Sequence, residues 1–350
     1  MAHRSRWRNR WLPAEIAAGV ILAGTAFHLA TRQVVQAPQP PRQVAAGGLR
    51  LMGPFGASFA GEMLAARAGL FEREGLRVDV QPGADADDPI KAVASGAAAF
   101  GVTRADSFLV ARGKGVQIVA FAAAYAESPA VFYVLKASGL RNPRDFVDRR
   151  IGRRAGDDTA VVFEALAAKL ALPRSMMRDV AVGADLTMLL RGEVDVWPGH
   201  VGEEDFALAQ QGVDHLVISP GTFGVHIPGT VYFASERTVR DQPQLVQRFL
   251  KSVIAGWELA YDDYAVSVPM IVGFDDKALT PARVRFGLDR QREYLRPLAS
   301  RFGELDEGQW RALQDLLFGQ RLLDRRVDLA KAMTAEFLRD AYRRPYSAEP

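Results

Sequence analysis

The sequence predicts an α/β fold in which helices cover a parallel sheet, and three observations carry that expectation. Short apolar runs alternate with helix-length segments from residue 49 to residue 219. Glycines stand where helices must hand over to strands, at Gly69, Gly75 and Gly96. Residues 76–80 alternate apolar Leu76, Val78 and Val80 with charged neighbours, which suits a strand buried on one face.

In chain order, an apolar strand at 49–52 enters a loop at 53–58, and a helix follows that ends at Gly69 and Gly75. Strand 76–80 leads to a helix carrying Ile90, Val93 and Ala94, which stops at Gly96 before strand 99–102. Such a sheet opens its ligand crevice at the carboxyl ends of its strands, here 53–59 and 103–107. Residues 116–123 form the next strand, and the uninterrupted apolar run 130–135 reads as a fully buried one. A turn and short helix (138–146) precede a strand starting at 149–152. A second α/β series then follows: helix 159–170, strand 179–182, helix 186–190, strand 194–197, helix 203–211 and strand 216–219. Asp157 or Asp158 serves as the N-cap of the first of these helices. After a last strand at 229–235 the chain reads as helix, at 243–261, 281–294, 307–318 and 329–342.

The first thirty residues carry a different signal. Arg4, Arg6, Arg8 and Arg10 precede a run, 16–30, that is apolar except for Thr25 and His28. That is an export pattern. At 15 residues the run is shorter than the roughly 20 of a full membrane span. His28-Leu29-Ala30 is a poor cleavage site, and Val35-Gln36-Ala37 runs into Pro38. No cysteine is available for lipid attachment. The expectation is an export signal or uncleaved membrane anchor at 1–32, followed by a proline-rich tether at 33–48.

Composition narrows the function. Five arginines against Glu15 give residues 1–32 a net charge of +4, while the 350-residue chain is +3, so the remainder is about −1 and offers nucleic acid no basic footprint. Zero cysteines exclude disulfides and thiolate chemistry. Asp85, Asp87 and Asp88 lack the glycine and distal glutamate of a calcium loop, and His200, His215 and His226 lack metal-ligand spacing. No Gly-x-Ser-x-Gly elbow exists. Neither a metal nor a cofactor is expected.

An ordered set of segments points further. Phe59-Ala-Gly61, Ala68-Gly-Leu-Phe-Glu-Arg-Glu-Gly-Leu76, Ala92-Val-Ala-Ser-Gly96, Phe100-Gly-Val102, Ala105-Asp-Ser107, Ser128-Pro129, Ser138-Gly-Leu140, Val194-Asp-Val-Trp-Pro-Gly199 and Phe249-Leu250 before Gly256-Trp257 run through nearly everything after the export segment. With them the chain resembles the periplasmic substrate-binding proteins of ABC importers, in the branch related to thiamine-pyrimidine synthases. Its neighbours bind nitrate, taurine and alkanesulfonates. The resemblance implies a two-lobed clamshell of the periplasmic-binding-protein type (type II) that closes by hinge motion, with the helical C-terminal tail packed on the first lobe. Residues 49–135 plus 225–350 would form lobe 1 and 136–224 lobe 2. It also implies a monomeric, non-enzymatic periplasmic protein that hands a small ligand to an inner-membrane ABC permease. Two rival readings are a thiamine-pyrimidine synthase-like enzyme and a membrane-tethered sensory module. The enzymes of that type use a cysteine-rich motif, which this chain lacks.

Aligned on that family, the expected crevice offers Phe55, Ser58, Glu62, Asp106, Tyr125, Glu127, Ser128, Asp158, Thr159, Trp197, His200, Glu203, Glu204 and Phe223. Ionised carboxylates accept hydrogen bonds and flat rings stack, so the set suits an amino-bearing heterocycle or a cation, pyrimidine-like in character. A nitrate or sulfonate would want a free helix N-terminus, and the one near Thr159 has two aspartates at its mouth. The plainer reading makes Glu203 and Glu204 solvated first-turn acids, and Phe59 a core residue.

Overall fold

The computed structural model describes residues 45–296 and 301–343; the expected anchor (1–32) and most of the tether lie outside the described residues. The tether's last residues belong to the first strand, β1 (Ala45–Arg50), so that strand begins four residues earlier than expected. A loop then leads to α1 (Ala60–Arg67) and α2 (Leu70–Arg73), with Gly69 between them at φ 69°. That left-handed backbone suits glycine because no Cβ clashes there. β2 (Leu76–Gln81) buries Leu76, Val78 and Val80 and exposes the residues between, as its alternation predicts. α3 (Asp87–Ser95), β3 (Phe100–Arg104), α4 (Ala105–Gly113) and β4 (Ile118–Ala123) continue the pattern.

The chain next makes β5 (Ala130–Leu135), β6 (Arg150–Arg154), α5 (Thr159–Lys169), β7 (Arg178–Val182) and α6 (Thr187–Leu190). β8 (Trp197–His200), α7 (Glu204–Gln210), β9 (His215–Ile218) and β10 (Thr230–Ser235) follow. The tail is helical: α8 (Glu236–Asp241), α9 (Pro243–Asp262), α10 (Tyr264–Val272), α11 (Pro281–Leu295), α12 (Glu307–Gly319), α13 (Leu329–Ala332) and α14 (Glu336–Arg343). The single helix expected at 329–342 is thus two, split where Thr334 donates its backbone N–H to the Ala120 carbonyl.

The first sheet has the order β2-β1-β3-β10-β4. β1 is parallel to β2 and β3, while the late strand β10 inserts antiparallel between β3 and β4. A second sheet, β8-β5-β9, is antiparallel throughout, and β6 pairs with β7 in parallel beside it. The fold is therefore mixed rather than wholly parallel. β5, expected in lobe 1, pairs with β8 and β9 instead, so the chain passes between the sheets at 124–129. A strand buried on both faces carries no alternation to say which sheet it joins.

The tail packs on the first sheet's helices. α9 crosses α1 at Gly61 and Gly256, where a Cβ on Gly256 would come within 2.0 Å of the Gly61 carbonyl oxygen. On the same helix Phe249 stacks on Phe100 with centroids 3.9 Å apart. Burying each such ring contributes on the order of 2–3 kcal/mol. α11 has two working faces. Val284, Leu288 and Gln291 are buried against the first part of the molecule, and Arg283, Phe286, Gly287 and Arg290 meet the loop and helix that follow β8. Spacings of three and four residues put that second set on one stripe.

Candidate functional site

The loop after β1 leaves the sheet at its carboxyl edge. There Pro54–Phe59, the β8–α7 loop (Gly202 and Glu203) and α11 (Arg283, Val284 and Gly287) enclose a cavity of about 280 Å³. Phe55, Ser58 and Glu203, three of the sequence candidates, line it together. The cavity walls come from both sheets' loops because α11 ties them together. Arg283 donates to Glu203 at 2.7 Å, Arg290 to the buried Asp205 at 2.8 Å, and Phe286 faces Phe206 at 5.3 Å. Gly202, at φ 89°, approaches Gly287 so closely that a Cβ would lie 3.3 Å from the Gly287 Cα.

A second group of candidates forms a charged network between the sheets. Ser128 Oγ donates to Asp158 Oδ2 at 2.6 Å, and His200 Nε2 lies 2.8 Å from Asp158 Oδ1. Ser128 thus donates to a carboxylate that is only a weak base, and its own oxygen accepts the Ala130 N–H at 3.1 Å. Arg104, at the end of β3, holds Asp106 at 3.1 Å and reaches across to the Gly156 carbonyl at 3.0 Å. Arg154 donates to Glu204 at 2.9 Å, and the other Glu204 oxygen accepts the His200 backbone N–H at 2.8 Å. Asp158 stands at the N-cap position of α5 without a side-chain bond to the helix, while Asp157 accepts from the Thr159 N–H at 3.0 Å and from the Thr159 hydroxyl.

The proton equilibria follow from this packing. Burial alone would raise the Asp158 pKa, but the charges and hydrogen bonds of His200, Arg104 and Ser128 win and hold it well below the usual carboxylate range. Burial lowers that of His200, yet Asp158 beside it, with Glu204 and Asp157 behind, raises it to about 9. Asp106 is held above its usual value by burial, with Arg104 opposing and Asp158 adding to the rise.

Other candidates stand apart. Glu62 is fully buried in α1, where Oε1 accepts from Tyr232 at 2.8 Å and Oε2 has no partner among the described residues; burial pushes its pKa up to about 7. Tyr125 donates to Gln291 at 2.8 Å, and Gln291 donates to the Ala57 carbonyl. Glu127 meets His226 at 2.9 Å. Trp197 is fully buried, with Arg154 5.9 Å from its ring centroid, so it is core rather than a stacking surface. Phe223 packs half-buried against the core of the second sheet, away from the cavity. Phe59 is core, as expected, and also touches the cavity.

The expected open acidic crevice is corrected by these contacts. Glu203, Glu204, Asp106, Asp158 and Glu127 each have a basic partner. Arg154, Arg283, Arg290 and Gln291 were missed because they meet Glu204, Glu203, Asp205 and Tyr125 from distant points in the chain, where no local spacing links them; Arg104, two residues from Asp106, was also missed. Arg104 alone had a nearby signal, directly preceding Ala105-Asp-Ser107. Among the described residues no cluster of histidine and acidic groups fits a metal, and no helix is long and apolar enough to cross a membrane.

Two sheets joined by crossing segments, a cavity bounded by loops of both and a helical tail on the first define the periplasmic-binding-protein fold. Within it, residues 57–264 match the family described as NMT1/THI5 like, and the chain belongs to that family. A 4-amino-5-hydroxymethyl-2-methylpyrimidine phosphate synthase of Legionella pneumophila is 22% identical over 198 residues, which are 55% of this chain and 62% of that relative. The chain therefore spans under two thirds of that relative's length. The periplasmic aliphatic sulphonate binding protein SsuA of Escherichia coli superposes with a TM-score of 0.70 at 16% identity, covering 89% of this chain and 95% of that one. The alkanesulfonate-binding protein SsuA of Xanthomonas axonopodis pv. citri, bound to MOPS, gives 0.65 at 19% identity, covering 85% and 99%. At such identities these likenesses concern the fold.

Proposed function

We propose that this chain is a periplasmic solute-binding protein that takes a small ligand between its two lobes and delivers it to an ABC permease. The observation that carries the reading is the 280 Å³ cavity in which Phe55, Ser58 and Glu203 converge from loops of both sheets. Ligand-sized enclosures at the carboxyl ends of strands are where such folds bind. The names of the sulphonate-binding neighbours support transport, and the synthase relative keeps an enzyme as the rival. Against the enzyme stand the absence of cysteine and the pairing of Ser128 with Asp158. The lobes proposed are the first sheet with the tail, and the second sheet with α5 to α7. An N-terminal anchor at 1–32 remains part of the proposal.

For the ligand we favour an amino-bearing heterocycle, with Phe55 and Phe59 as ring contacts and Ser58 and Glu203 as acceptors. The helix terminus that an anion would use is already occupied, since Asp157 takes the Thr159 N–H and Asp158 is buried there. A sulfonate is the second reading, supported by the fold's likeness to the two sulfonate-binding proteins and by Arg104, Arg154 and His200 between the sheets. The test is a thermal-shift screen of the chain against pyrimidines, thiamine precursors, polyamines, nitrate and sulfonates. A ligand at about a hundred times its dissociation constant adds roughly 2.7 kcal/mol. Stabilisation by an aminopyrimidine supports the first ligand, and stabilisation by sulfonates alone supports the second. Turnover of a bound pyrimidine precursor would overturn the transport reading.

A further inference from the structure

We propose that a second cavity, at the opposite end of α11 from the first, is a binding site for a flat aromatic molecule bearing one anionic group. It lies among α9, α11, α14 and the residues Arg301 and Phe302, and is also about 280 Å³. This inference is independent of the ligand proposed above. The volume equals roughly nine water molecules, and the cavity opens to solvent past the exposed Arg292, Arg296 and Arg301.

The walls are aromatic. Trp257 and Tyr261, one helical turn apart on α9, stack at 6.3 Å with an 18° interplanar angle, and Phe302 meets Trp257 at 5.9 Å. Tyr342 completes the lining from α14. Trp257 is held in place because its indole N–H donates to the Tyr232 hydroxyl at 2.9 Å, which in turn donates to Glu62. A fixed ring of this kind can receive a planar ligand without first being ordered. The rim is basic. The Arg292 guanidinium sits 5.2 Å from the Tyr261 ring centroid and that of Arg301 5.4 Å from Tyr342, with Arg296 beside them. Among the described residues the ion pairs of α11 are Arg283–Glu203 and Arg290–Asp205, at its other end and face. Arg292, Arg296 and Arg301 form none with the described carboxylates. Glu258 and Asp262 also line the cavity, so among its described lining residues three guanidiniums stand beside two carboxylates. Planar guanidiniums stacked on rings keep their N–H edges free for a carboxylate or sulfonate.

The probe is 2-naphthoate, titrated into the full chain by calorimetry and followed by tryptophan fluorescence. One saturable site is expected, with a dissociation constant on the order of 0.1 mM. The neutral amide of the same shape should bind about tenfold or more weakly, because a charged hydrogen bond is lost. Acetate, which has the charge without the ring, should not compete. Arg292→Ala with Arg296→Ala should lower affinity about tenfold or more, and these exposed positions leave the fold intact. Phe55→Ala, in the loop cavity, should leave it unchanged. Absence of saturable binding, equal affinity for the amide, or loss with Phe55→Ala but not with the paired arginine variant would each overturn the proposal. The amide comparison uses only the wild-type chain, so it holds even if a variant folds poorly.

Discussion

Replacing His200 by glutamine is expected to cost stability at about pH 6 and almost none at about pH 10. In the folded chain the His200 pKa rises from 6.5 to about 9, with burial opposing and Asp158 driving the rise. A raised histidine contributes its full stabilisation below 6.5, and that contribution is lost as the pH climbs through about 9. The shift corresponds to about 3 kcal/mol at most; because 28% of the His200 side chain is exposed, solvent screening brings the expectation to about 2 kcal/mol. Urea unfolding of wild type and variant at both pH values measures the difference directly. Other groups titrate in this range, so the quantity to read is wild type minus variant. An equal deficit at both pH values would refute the reasoning, because it would make His200 a packing residue rather than a charged partner of Asp158.

Three further outcomes are expected. Glu62 has its pKa raised from 4.5 to about 7 by burial, so its stabilising neutral form is complete below 4.5 and lost as the pH rises through 7. Glu62→Gln should therefore raise stability by about 2 kcal/mol near pH 8 and add nothing near pH 4, measured by urea titration at each pH. Gly256→Ala puts a Cβ 2.0 Å from the Gly61 carbonyl oxygen and should cost roughly 1–3 kcal/mol by forcing α1 and α9 apart; a thermal midpoint equal to wild type would contradict that crossing. Glu204→Gln removes the charge that Arg154 pairs with and leaves one acceptor for two donors, so an amide N–H must face either Arg154 or the His200 N–H, and unfolding should cost about 1.5–3 kcal/mol less free energy. An unchanged urea midpoint would return Glu204 to the solvated helix-start acids.

The first sheet was legible because its helices stop at glycines and β2 alternates strictly. The second was less so. β5 is apolar on both faces, which hides its partners, and β8 was expected at 194–197 but occupies Trp197–His200. Pro198 and Gly199 read as a strand's end, yet β8 is an edge strand of its sheet, where a missing N–H is tolerated. The candidate site was half legible. Polar and aromatic residues at strand ends could be picked out singly, and Phe55, Ser58 and Glu203 do share a cavity. What the chain could not disclose was charge pairing over long separations. Arg154 lies fifty positions from Glu204 and Arg283 eighty from Glu203. Those arginines turn a supposed acidic crevice into a balanced network.

The central claim is tested most directly by titration calorimetry of the best ligand from the screen, against the wild-type chain and against Phe55→Ala and Ser58→Ala. The expected result is one ligand per chain, released intact, with affinity reduced about tenfold or more in Phe55→Ala through the lost ring contact and less in Ser58→Ala. Binding that both variants leave untouched would contradict the assignment of the loop cavity, and a ligand recovered chemically changed would contradict the solute-binding reading itself.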